Sequence, residues 1–143
     1  MFQLTKKIEY SLIALTYMGS KKKEDISTAK EIASLYQIPR ELLAKVLQQL
    51  NRDGYIRSVQ GPRGGYVLSR SPDEVNLDDI IRTIEGKRGF TECSGTGGAD
   101  CVRSVNCSIR VPMEQLDRQM AAFLSSVTLE HVMRGEIPSC NIT

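Results

Sequence analysis

The sequence predicts a mainly α-helical protein with one small β-hairpin, in which three helices and the hairpin fill the N-terminal half and a long helix lies toward the C-terminus. Three observations predict it. Apolar residues recur at helical spacing from Leu4 to Met18, from Ile32 to Leu50 and from Met113 to Val127. Two short β-prone runs flank a glycine-rich loop. The 143 residues, 41% of them hydrophobic, suit one domain or one small domain with an appendage, and no repeat or low-complexity tract interrupts them.

Leu4, Ile8, Leu12, Leu15 and Met18 define the first amphipathic helix, broken by Gly19 and the run Lys21-Lys22-Lys23. The second helix begins at Thr28, which forms a capping box with Glu31, and is expected to bury Ile32, Ala33 and Leu35. After Tyr36-Gln37-Ile38, Pro39 suits a first helical position, and Leu42, Leu43, Val46, Leu47 and Leu50 form the stripe of a third helix closed by Asp53-Gly54. A short helix, a tight turn and a third helix with exposed polar residues is the order of a helix-turn-helix. Tyr55–Val59 and Tyr66–Leu68 read as strands around Gln60-Gly61-Pro62-Arg63-Gly64-Gly65, a wing whose glycines permit positive φ and a close approach of the backbone to another molecule. Beyond Pro72 a small helix covers Leu77 to Ile84, and Gly86 to Asp100 reads as a loop. From Arg110 to Ser126, the residues Met113, Leu116, Met120, Phe123 and Val127 follow spacings of 3, 4, 3 and 4, a narrow seam for one partner helix. The expected organisation is a winged helix-turn-helix domain over residues 1–70, a linking helix and cysteine-bearing loop over 71–109, and a dimerisation helix with a C-terminal tail over 110–143.

Charge divides along the same line. Residues 1–70 carry a balance of +6 and residues 71–143 one of −4, within a total of +2. A basic half is what a phosphate-binding module needs, because each neutralised phosphate releases condensed counterions. No apolar run approaches the roughly 20 residues that span a bilayer, and no secretory leader pattern is present, so the expected location is the cytoplasm. There is one histidine, His131, and no tryptophan, which leaves a catalytic triad or polyhistidine metal site little to draw on. No glycine-rich phosphate motif follows a strand either, so an enzyme is not expected.

The third helix offers Arg40, Lys45, Gln48, Gln49, Asn51 and Arg52 to phosphates and base edges, its N-terminal end being the natural entrant into a major groove. The wing adds Arg57, Gln60 and Arg63. The predicted interface with double-stranded DNA therefore comprises Thr28, Pro39, Arg40, Glu41, Lys45, Gln48, Arg57, Gln60, Gly61, Pro62, Arg63 and Gly64. Four cysteines without a secretory leader point to metal binding or redox chemistry rather than to two disulfides. Cys93, Cys101 and Cys107 share one glycine-rich stretch with spacing C-x7-C-x5-C, and Cys140 lies near the C-terminal end. Thiolates are the ligands iron–sulfur clusters take, and the C-x2-4-C pairs of structural zinc are absent.

Leu4-Thr5 with Tyr10-Ser11-Leu12, Glu31-Ile32-Ala33 leading to Ile38, and above all Ser58-Val59-Gln60-Gly61-Pro62-Arg63-Gly64-Gly65-Tyr66 resemble the bacterial Rrf2 family of winged-helix regulators over nearly the whole chain. The resemblance implies a homodimer in which the long C-terminal helix crosses its partner, and a regulator, usually a repressor, of transcription. It also implies that Cys93, Cys101 and Cys107 hold a cluster, [2Fe-2S] or [4Fe-4S], since the three match the cysteines of the family's sensor members. In one branch of the family a histidine three residues after the third cysteine completes the ligand set; here that position is Arg110, whose guanidinium stays protonated. In other members a carboxylate of the first helix does so, and Glu9 stands at that place, with Cys140, His131 and Asp100 as further candidates. Position 60, usually Arg or Lys in the family, is Gln60, a residue that can read adenine.

Two functions follow as expectations. One is a repressor whose operator affinity is tuned by a cluster sensing iron or cluster status, nitric oxide or redox stress. The other is a cluster-free regulator of the same fold controlled by thiol oxidation or a protein partner.

Overall fold

In the computed structural model, which describes residues 3–86, 89–91, 101–103 and 105–140, the predicted architecture is present: six helices and one antiparallel hairpin among the described residues. Helix α1 (Lys6–Ser20) buries Ile8, Ala14, Leu15 and Met18. Its buried Ser11 is satisfied locally, donating to the Lys7 carbonyl at 2.7 Å. Helix α2 (Ala29–Tyr36) starts at the predicted capping box, in which the Thr28 hydroxyl accepts from the Glu31 N–H at 3.1 Å while the Glu31 side chain accepts from the Thr28 N–H. Gln37 ends it in the left-handed conformation, φ 53.

Helix α3 (Arg40–Arg52) follows, with Pro39 as its N-cap rather than its first helical residue. Leu43, Val46, Leu47 and Leu50 are buried and complete the core-facing arc. Leu42 stands about 100° round the helix from Leu43 and is therefore 45% exposed, against the predicted stripe. For the same reason Leu35, on the last turn of α2, is 60% exposed while Ile32 and Ala33 are buried. Leu4, which precedes α1, is also largely exposed.

Strands β1 (Ile56–Val59) and β2 (Gly65–Leu68) pair antiparallel with Ile56 opposite Leu68 and Val59 opposite Gly65. Of the three wing glycines only Gly61 has positive φ, at 116. Gly64 and Gly65 are needed for close approach instead, within the protein: a Cβ on Gly64 would strike the Val59 carbonyl, and one on Gly65 would stand 2.5 Å from the Ser27 carbonyl.

A 3-10 turn (Pro72–Glu74) leads to α4 (Leu77–Glu85), capped by Asn76, whose side chain accepts from the Asp79 N–H at 2.9 Å. Helix α5 (Arg110–Ser126) packs on α4 and has no fully buried residue; Leu116 and Met120 of its apolar seam are exposed. Val127 departs from that seam, for it is buried in its own chain, its carbonyl accepting from the Leu77 N–H at 2.9 Å. Helix α6 (Leu129–Arg134) returns to α1: Leu129 joins the central core with Leu15, Ile32, Leu47 and Ile80, and Met133 seats against Gly19. One core therefore joins the first helix to the last. Among the described residues no helix is long and apolar enough to cross a membrane.

Candidate nucleic-acid interface and cysteine site

On α3 the exposed residues Glu41, Lys45, Gln48 and Arg52 succeed one another at spacings of 4, 3 and 4, so they line one face opposite the buried leucines. Arg40 is exposed in the first turn beside exposed Pro39, while Thr28 is half-buried and holds the start of α2. Among the described residues Arg40, Lys45, Arg52 and Arg63 form no ion pair with another side chain, so their charge is free for an outside anion. Gln49 and Asn51 do not join this face. Gln49 donates to the Thr83 carbonyl of α4 at 2.7 Å, and the Asn51 side-chain carbonyl accepts from the Ser58 N–H of β1 at 3.1 Å. Both are braces of the recognition helix, and the sequence concealed this because each partner lies on another element.

The wing tip exposes Gln60, Gly61, Pro62 and Arg63, and the Gly64 N–H closes it onto the Gly61 carbonyl at 3.0 Å. Its base is fastened to the α1–α2 connection by a two-bond bridge, Ser27 N–H to Tyr66 carbonyl at 2.9 Å and Tyr66 N–H to Ser27 carbonyl at 2.8 Å. Arg57 is not on the tip but on β1, where it meets Glu24 of the same connection at 2.6 Å. That pair is exposed and contributes little to stability; it does orient the guanidinium.

A second cluster fixes the start of α2. The Glu31 carboxylate accepts from Lys21 Nζ at 2.7 Å and from the Tyr17 hydroxyl, and Lys21 lies over the Tyr17 ring, 4.8 Å from its centroid. These hydrogen bonds, Lys21's first, hold the Glu31 carboxyl below its usual range. Burial opposes the Lys21 charge, but bonds to Glu31 and Tyr17 outweigh it and raise its pKa. The hydrogen bond to Glu31 raises that of Tyr17.

Cys101 and Cys107 are free, half-buried thiols, each outside any helix or strand, in the sequence between α4 and α5, and Cys140 is free and exposed. Cys93 and Asp100 lie outside the described residues. Soft thiolate donors fit an iron–sulfur cluster and do not fit a hard, oxygen-seeking cation. Among the described residues no group of three or more His, Cys, Asp or Glu side chains is gathered to hold a metal. Glu9, half-buried on α1, is paired with Lys6 at 2.7 Å. His131 is the fourth member of a capping box, its Nδ1 accepting from the Thr128 N–H at 3.1 Å. Arg110, at the position where some relatives place a histidine, pairs with Glu114 at 3.1 Å.

The sequence model of the Rrf2 iron-dependent transcriptional regulators matches residues 4–135. The chain belongs to the Rrf2 family. Members are transcription regulators, not enzymes, and the family binds DNA. This Rrf2 chain is similar to the HTH-type transcriptional regulator NsrR of Oceanobacillus iheyensis, 31% identical over 136 residues that cover 93% of this chain and 90% of that one. NsrR of Geobacillus kaustophilus is 28% identical over 131 residues, covering 92% and 89%. Among solved structures, the fold matches the global cysteine regulator CymR of Bacillus subtilis with a TM-score of 0.73 at 24% identity, over 94% of this chain and 98% of CymR. It matches T. potens IscR with a TM-score of 0.73 at 22% identity, over 99% and 93%.

Proposed function

We propose that this Rrf2 regulator acts as a homodimer, gripping an operator duplex with α3 and the wing, and that an iron–sulfur cluster on Cys93, Cys101 and Cys107 sets its affinity. Glu9 is the carboxylate proposed for the fourth position, supplied by the second subunit. The observation that carries the reading is the pair of free, half-buried thiols at Cys101 and Cys107 on the stretch that joins α4 to α5. The basic balance of residues 1–70, the unpaired cations of α3 and the wing, and the exposed apolar residues of α5 support the rest. The iron-dependent description of the family is in keeping with it.

A bound cluster supplies iron that reacts with oxidants and nitric oxide. The chain's own part is mechanical. Held to one cluster, the three thiolates would close the sequence between α4 and α5 into a constrained loop; apart, they would not. Because α4 packs on both α1 and α5, the state of that loop biases how the two recognition helices of a dimer are placed.

Anaerobic purification with an absorption spectrum, iron and sulfide counts, and footprinting with and without the bound iron tests the proposal. Visible absorption that is lost in Cys101→Ala, together with a changed footprint, is the expected result. No iron and no sulfide, with DNA affinity that responds to thiol oxidation instead, would establish the cluster-free reading.

A further inference from the structure

The last turn of α4 is bonded to three separate parts of the DNA-binding half. The Thr83 carbonyl accepts from Gln49 of α3 at 2.7 Å, the Thr83 hydroxyl lies 3.2 Å from the hydroxyl of Tyr55 at the entrance to β1, and Glu85 accepts from the Thr5 hydroxyl at the start of α1. A carbonyl in the last turn of a helix has no partner within that helix, so Gln49 fills a position that would otherwise need water. Gly86 caps the helix immediately afterwards, with φ 77, and the chain runs from there toward the cysteines. Just beyond, the Phe90 N–H donates to Asp117 of α5 at 2.8 Å. One turn thus stands between the cysteine stretch, the seam helix and the recognition helix.

We propose that Gln49 is a positioning residue for DNA binding rather than a reader of bases. It locks α3 to the last turn of α4, and through that turn the state of the cysteine stretch reaches the recognition helix. The physical ground is the difference between the two kinds of contact that hold α3. Leu43, Leu47 and Leu50 pack against the core through non-directional apolar contacts, which tolerate a small slide. The amide-to-carbonyl bond does not, since hydrogen bonds weaken steeply with distance and angle. A shift of Thr83 that leaves the apolar contacts intact therefore either breaks the Gln49 bond or carries α3 with it. Tyr55 is buried and Gln49 half-buried, so the two bonds to Thr83 are partly sheltered from water.

This inference rests on the proposal that the cysteine stretch controls operator affinity, and a double-mutant cycle separates the two. The full-length dimer is used with an operator recovered by selection from a random duplex library on the wild-type protein. Operator Kd is measured anaerobically for wild type, C101A, Q49M and the Q49M/C101A pair, with Tm and the salt slope of binding alongside. Methionine matches glutamine in length and lacks the donor. C101A is expected to change wild-type affinity about tenfold and to change it less than about threefold in the Q49M background, with the salt slope unaltered. Y55F, which keeps the ring and loses the hydroxyl, weakens the response to C101A in the same direction. Q48M, on the exposed face, lowers affinity alike in both backgrounds. A C101A effect that survives intact in Q49M overturns the inference alone, as does a Q49M protein that selects a different base sequence. No effect of C101A on wild type overturns it together with the control it depends on.

Discussion

Replacing Gly65 with alanine places a methyl group 2.5 Å from the Ser27 carbonyl oxygen and 2.6 Å from Ile26 Cγ2. The isoleucine methyl can turn aside. The Ser27 carbonyl cannot, because it belongs to the backbone bridge that fastens the wing to the α1–α2 connection. The strand must therefore move off, and both bridge bonds, of 2.8 and 2.9 Å, are lost or stretched. At about 1 kcal/mol each, the two bonds amount to about 2 kcal/mol, before any loss of packing around Tyr66. At about 3 °C per kcal/mol for a chain of this size, Tm falls by about 6 °C. Calorimetry measures the shift, and operator titration at fixed salt reads the accompanying loss of affinity from a loosened wing. Gly61→Ala is the contrast. Its Cβ would meet nothing within 4 Å, so only the strain of φ 116 is incurred, about 1 kcal/mol. A Gly65→Ala protein melting within about 1 °C of wild type would refute the assignment of the bridge as the wing's anchor.

Arg63→Ala and Arg40→Ala are each expected to reduce the slope of log K against log salt by about one, while leaving Tm unchanged, as read by titration over a salt series. On the proposed homodimer, substituting Leu116 and Met120 together by glutamate is expected to give a monomer in sedimentation equilibrium, because both side chains are exposed on the seam of α5. The depressed pKa of Glu31 means that its ionised form stabilises the fold above the unfolded value of 4.5 and that this contribution is lost as pH falls through the lower folded value. The stability gap between wild type and Glu31→Gln, measured by urea unfolding, should thus be constant near neutrality and close on acidification; a gap that widens below pH 4.5 would contradict the ion-pair geometry.

What the sequence revealed depended on how local the cause was. The start of α2 was legible to the residue, because Thr28 and Glu31 satisfy each other three positions apart. The wing was legible because β-prone runs bracket a Gly-Pro turn, although the reason for two of its glycines was not. Gly64 and Gly65 are small to admit the Val59 and Ser27 carbonyls, and only the second of these partners lies outside the hairpin. Leu35 and Leu42 look like core residues because apolar side chains near a helical stripe are alike in sequence, whereas the buried arcs of α2 and α3 are too narrow to take them all. Gln49 and Asn51 look like groove-reading amides on the recognition helix. Their real partners, Thr83 and Ser58, become neighbours only once α4 and β1 are in place. His131 had the residue type of a metal ligand and serves as a cap, a choice settled by Thr128 three residues earlier.

The return of α6 onto α1 has a consequence for biosynthesis. Leu129 and Val75, joined by a 2.7 Å backbone bond, belong to the same apolar cluster as Ile8 and Leu15, and Gly19 is shaped to receive Met133. A nascent polypeptide that has just emerged through its hairpin still lacks the lid over its opening helix. A chain cut between the hairpin and position 129 keeps every residue proposed to face the groove yet leaves uncovered the part of the core that Leu129 and Met133 close, so it is expected to melt at lower temperature than the whole chain.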